Sequence, residues 1–185
     1  MRTQKGFTLL EVLIVVVIAV SVAAFAVPAY KKSQDRNRYM AAQGALIDLG
    51  NGVRALRADL AVDAPSKAFP TSGYLAVSAS WQGTSGTDYT NSKDKPLSEL
   101  NNTTLGYALF SRRYMSPIAF DSGNSFKGYL FYICPQNTST SSVCCQSNSN
   151  AVACMSDSSY ASRPTKGQYY GALYTLDGNV TRLTK

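Results

Sequence analysis

The chemistry open to this chain is limited by four cysteines, few acids and no histidine. Without His, the commonest general base and metal ligand is missing. Acid–base catalysis would then need paired carboxylates. Only 11 of the 185 residues are Asp or Glu. Of these, Asp121, Asp157 and Asp177 stand apart in turn-like surroundings, where Asp is an ordinary turn former. No Gly-rich phosphate loop and no Ser nucleophile elbow is present. These features argue against an enzyme, and they imply no cofactor and no metal. Cys134, Cys144, Cys145 and Cys154 have the spacing Cys-x9-Cys-Cys-x8-Cys, without the Cys-x2-Cys pair of standard zinc sites.

One carboxylate is out of place. Glu11 is the only charge in a stretch that stays apolar from Phe7 to Val27. At roughly 1.5 Å per residue that stretch spans about 31 Å, the thickness of a bilayer's hydrocarbon. A charge at that depth is costly and marks a functional site by default. Arg2 and Lys5 precede the stretch, and Lys31, Lys32, Arg36 and Arg38 follow it, so loop charge alone does not orient it. An ordinary secretory signal has no acid at the start of its apolar region, and a plain anchor needs neither Glu11 nor Gly6.

At Lys5-Gly6-Phe7-Thr8-Leu9-Leu10-Glu11, and on to Pro28 and Tyr30, the chain resembles the type IV pilins, a family that includes the pseudopilins of type II secretion. The resemblance is to a prepilin with a class III signal, of the type IVa minor kind. It implies a leader of residues 1–6 cut by prepilin peptidase between Gly6 and Phe7, and N-methylation of Phe7. It also places the family's assembly glutamate at Glu11 and its helix-kinking proline at Pro28. The charge logic holds apart from the family. Cleavage leaves a positive amine on Phe7, and Glu11 lies about one helical turn on. In a bundle of such helices, the amine of one subunit meets Glu11 of another, and an unpaired Glu11 becomes expensive.

A head carried across a membrane meets an oxidising compartment, so the four cysteines are expected as disulfides. A bond between adjacent Cys144 and Cys145 fits disulfide geometry poorly. That leaves Cys134 with one of the pair and Cys154 with the other. The intervening 135–153 is rich in Ser, Asn and Thr and poor in apolar residues, so the bonds supply the order that burial cannot.

These groups must be positioned by a long helix and a head. Tyr39, Ala42, Leu46, Leu49, Val53, Leu56 and Leu60 recur at spacings of three and four, an apolar stripe for a core. The other face carries Arg36, Arg38, Gln43, Asp48, Arg54, Arg57 and Asp59. Gly44, Gly50 and Gly52 weaken this helix, and Pro28 should kink or interrupt it. Pro65 closes it near 61–64. Tyr74–Val77 reads as a short strand, 81–96 as exposed loop and 96–100 as a helical turn. Leu105–Arg112, Gly128–Cys134, Gln168–Leu176 and Val180–Leu183 read as strands, with Asp177-Gly178 as a hairpin turn. The fold class is α+β: a long N-terminal helix packed on an antiparallel sheet. The segments are leader 1–6, membrane or fibre-core helix 7–29, amphipathic helix 30–63, and a β-rich head 64–185 stapled over 134–154.

The implied function is a structural pilin subunit of a type IV pilus, minor rather than major. It sits in the inner membrane by a single pass before assembly and in the extracellular fibre afterwards. Its partners are prepilin peptidase and other pilins. Alternatives are a DNA-binding pilin for transformation, an adhesin pilin for a cell-surface ligand, and a secretion pseudopilin. The last family usually lacks cysteines and binds calcium in a late acidic loop. The chain carries a formal +7, which leader removal reduces to +5 by taking Arg2 and Lys5. For DNA or another polyanion the candidate contacts are Arg112, Arg113, Lys127, Arg163 and Lys166, with Tyr114, Tyr160, Tyr169 and Tyr170 available for stacking.

Overall fold

The computed structural model describes residues 8–71, 73–116, 128–136, 144–145, 150–157 and 169–184. The chain divides into two compact units, Met1–Tyr39 and Met40–Lys185. Helix α1, Leu9–Asp63, runs through both. In the first unit the apolar side chains from Leu9 to Val27 are exposed. Pro28 lies inside α1, and the helix continues through it. The missing proline N–H removes one backbone bond, and the turns on either side keep theirs.

In the second unit five strands form one antiparallel sheet in sequence order. They are β1 (Leu75–Ala76), β2 (Tyr129–Ile133), β3 (Ala151–Asp157), β4 (Tyr169–Thr175) and β5 (Val180–Thr184). With α1 they make the α+β arrangement that the sequence implies. Phe131, Met155 and Ala172 stand opposite one another, as do Ile133, Ala153 and Tyr174, so these side chains share one sheet face. The stripe on α1 packs there: Ala42, Leu46, Leu49, Val53, Leu56 and Leu60 are fully buried. Gly50 permits the approach, because a Cβ on it would sit 2.1 Å from the ring of Tyr174.

Tyr132, Cys154 and Leu173 share the opposite face. A second, smaller core forms on it from Cys134, Cys144, Cys145, Ala151, Cys154 and Leu173, flanked by Tyr132 and Leu183. Strand β3 is therefore covered on both sides and buried throughout. Its sequence Ala-Val-Ala-Cys-Met-Ser-Asp shows no alternation for that reason, and periodicity alone misses it. Asp157, expected in a turn, is the buried last residue of this strand.

Two segments differ from the structure their composition implies. Leu105–Arg112 is not a strand: residues 105–111 lie in helix α3, Asn102–Ser111, and Arg112 is its C-cap. Asn101 caps it: its side chain accepts from the Thr104 N–H at 2.9 Å, while Thr104 Oγ1 accepts from the Asn101 N–H at 2.8 Å. Leu105, Ala108 and Leu109 then fall on one buried side, at helical rather than strand spacing. Nor is 81–96 an exposed loop. Trp81 is buried, with its ring against Gly106 of α3. Helix α2, Thr87–Asp94, is joined to α3 by a 2.9 Å contact between the Ser92 and Ser111 hydroxyls. The polar composition of this stretch reflects a helix with one thin buried side.

Arg57, placed by periodicity on the solvated face, is buried. Its Nε donates to the Phe69 carbonyl at 2.9 Å, and Nη2 donates to the Cys134 carbonyl. The guanidinium satisfies two carbonyls from distant loops that would otherwise be buried without partners.

Candidate functional site

The N-terminal segment opens on Thr8, whose side chain caps α1. Thr8 Oγ1 accepts from the Glu11 N–H at 3.2 Å, and the Glu11 carboxylate accepts from the Thr8 N–H at 3.1 Å and its hydroxyl at 3.0 Å. This is a capping box, and it holds the Glu11 side chain back along the helix toward residue 8. Thr8-x-x-Glu11 is a sequence signature that a reading centred on charge pairing overlooks. Gly6 and Phe7 lie outside the described residues. Beyond Glu11 the helix presents Val12, Leu13, Ile14 and on to Phe25 and Val27, all exposed. By length and composition this apolar stretch suffices to cross a membrane.

The stapled region is built on the sheet face away from α1. Disulfides join Cys134 to Cys145 and Cys144 to Cys154, with sequence separations of 11 and 10. The adjacent cysteines thus reach in opposite directions along the chain. Cys145 Sγ and Cys154 Sγ, from different disulfides, lie 3.3 Å apart. Three of the sulfurs fall within 4.8 Å of one another, a spacing that could suit a metal. All four are oxidised, however, and the thiolate that binds a metal is not available.

Of the candidate basic residues, Lys127, Arg163 and Lys166 lie outside the described residues. Arg112 Nε donates to the Ser92 carbonyl at 2.6 Å and Nη2 to the Lys95 carbonyl, so its guanidinium caps the end of α2. Arg113 is exposed, with a positive φ of 61°. The neighbouring phenol of Tyr114 donates to Asp59 Oδ2 at 2.6 Å. Burial, that hydrogen bond and the carboxylate's charge push the Tyr114 phenol up to about 12.

Residues 1–27 match the family model of the prokaryotic N-terminal methylation motif. No curated protein matches the chain, and no solved structure does. The motif places the N-terminal segment among the precursors of membrane-anchored, assembling filament subunits. The motif supports a precursor of the type IV pilin or pseudopilin kind, a structural class. The motif implies processing by prepilin peptidase and assembly with other pilins.

Proposed function

We propose that the protein is a minor subunit of a type IV pilus. It enters the inner membrane as a single-pass prepilin, is cut between Gly6 and Phe7, and is N-methylated on Phe7. It then joins the fibre through α1. The observation that carries this reading is the exposed apolar half of α1, whose one carboxylate, Glu11, stands at its start. An exposed apolar run of this length needs lipid before assembly and other helices after it. Glu11 then takes the positive amine of a neighbouring subunit as partner, exchanging its local bonds to Thr8 for a charge pair. Four cysteines and few acids favour a pilus over a secretion pseudopilus.

The test is mass spectrometry of sheared surface fibres from cells making either the native protein or Glu11→Ala. The native protein is expected in fibres, at low abundance relative to other pilins, with an N-methylated Phe7 as its first residue. The variant is expected to be inserted and cleaved normally but depleted from fibres. Normal amounts of the variant in fibres would refute the role of Glu11, and an uncut N-terminus would refute the prepilin reading.

A further inference from the structure

A second feature lies within the Met40–Lys185 unit, where α1 passes the end of β4. A hollow of about 470 Å³ opens there between Asn51, Arg54, Arg57, Ala58, Gln136 and Leu176. We propose that this hollow binds an acidic sugar: a monosaccharide-sized group carrying a carboxylate or a phosphate.

Arg54 and Arg57 stand three residues apart on α1, and both line the hollow. Among the described residues neither has a carboxylate within salt-bridge reach. Arg57 is only 8% exposed. Its bonds are to two neutral carbonyls, which use two of its five N–H donors. A buried guanidinium without a counter-charge is an expensive arrangement, and one that an anion entering the hollow relieves. The guanidinium fork matches a carboxylate or phosphate edge with paired hydrogen bonds.

The rest of the hollow is suited to a sugar ring. Arg54 Nη1 donates to the Tyr174 hydroxyl at 3.3 Å, and that hydroxyl donates to Asn51 Oδ1 at 2.5 Å. This relay fixes Arg54 and turns the Asn51 amide so that its N–H groups remain as donors. Gln136 supplies a second amide. Both can serve ring hydroxyls, while Ala55, Ala58 and Leu176 offer apolar surface to the ring's C–H face. The volume falls within the range of small-molecule sites, about 300–1,000 Å³. Among the described residues no aromatic face lines the hollow, so the stacking that single-stranded nucleic acid relies on is not offered by them. Two cations in an open hollow of this size also fit one acidic sugar better than an extended polyanion. The Arg57 bond to the Cys134 carbonyl ties the site to the disulfide region.

The experiment uses the full-length protein in micelles of a polyoxyethylene detergent, which has neither charge nor sugar. Arginine Nε–H resonances are followed by NMR as five probes are titrated: glucuronate, glucose 6-phosphate, glucose, acetate and inorganic phosphate. The expected result is that at least one acidic sugar shifts the Arg54 and Arg57 signals and binds at least about tenfold tighter than glucose and than its own isolated anion. Which of the two does so identifies the anionic group. Arg54→Gln, at an exposed position, should remove that advantage with the fold intact by circular dichroism, and Arg54→Lys should restore only part of it. Equal binding of acetate or inorganic phosphate would reduce the hollow to a bare anion site and overturn the proposal. So would equal binding of glucose, no shift with either acidic sugar, or unchanged binding in Arg54→Gln. None of these outcomes depends on whether the chain assembles into a fibre.

Discussion

Gly44 and Gly50 lie on the same helix, and a methyl group would have opposite effects at the two. At Gly44 a Cβ would meet nothing within 4 Å. At Gly50 it would collide with the Tyr174 ring. Helix propensity favours Ala over Gly at both by about 1 kcal/mol. We therefore expect Gly44→Ala to stabilise the head by up to about 1 kcal/mol. Gly50→Ala should destabilise it by about 1–3 kcal/mol, since overpacking outweighs propensity. Urea unfolding midpoints of the two variants check both signs, and stabilisation by Gly50→Ala would contradict the packing of Tyr174 on α1. Tyr114 offers a pH test. An unfolded chain loses a tyrosine proton near pH 10, whereas burial and Asp59 hold it in the folded chain to about 12. The raised value means that this contribution is whole below pH 10 and is lost as pH rises from 10 to about 12. Tyr114→Phe should lower stability at pH 8 yet flatten the fall of the thermal midpoint between pH 10 and 11.5. Parallel curves for the two proteins would show that Tyr114 keeps an ordinary value.

At the scale of elements, what decides legibility is whether one side of a segment faces water. The stripe from Ala42 to Leu60 has a solvated opposite side for most of its length, so its period can be read directly. The β4–β5 hairpin announces itself by Asp177-Gly178, where the glycine takes a φ of 81°. β3 has both faces covered and small residues throughout, and so it carries no period to read. α3 was written in a cap, Asn101-x-x-Thr104, that the apolar run after it obscured. Arg57 shows the other limit. Its place in the helical period is that of a solvated residue, and only the arrival of Phe69 and Cys134 carbonyls from 12 and 77 residues away buries it. The same limit hides the hollow beside Arg54, whose walls come from three separate stretches. The α3 cap can be tested in isolation. Asn101→Ala should cost about 1 kcal/mol and lower the thermal midpoint by about 2–4 °C, with faster hydrogen exchange confined to the first turn of α3. Asn101→Asp should keep the midpoint. Loss of protection across the whole helix would mean that packing on Trp81 depends on the cap.

For the molecule as a whole, the sheet of the head divides two cores of different origin. On one face, the α1 stripe and residues such as Phe131 and Met155 bury enough apolar surface to hold together by the hydrophobic effect. On the other, the core is mostly sulfur and small side chains. Its stability comes largely from closing two short loops, each worth about 2–3 kcal/mol by loop entropy. Removing the two disulfides should therefore cost about 4–6 kcal/mol, a large share of the roughly 5–15 kcal/mol that holds a domain. The loss should be uneven in space. With Cys144→Ala and Cys154→Ala together, one loop opens, and the outer face around Tyr132, Leu173 and Leu183 loses its cover. The backbone amides of Leu46, Leu49, Val53 and Leu56 should stay among the slowest to exchange, because the packing of the stripe does not pass through sulfur. Native-state hydrogen exchange on the double variant decides this. If the helical amides and the β4 and β5 amides accelerate equally, the head has a single cooperative core. If β5 and the outer positions of β4 accelerate alone, the disulfides organise a separate surface layer.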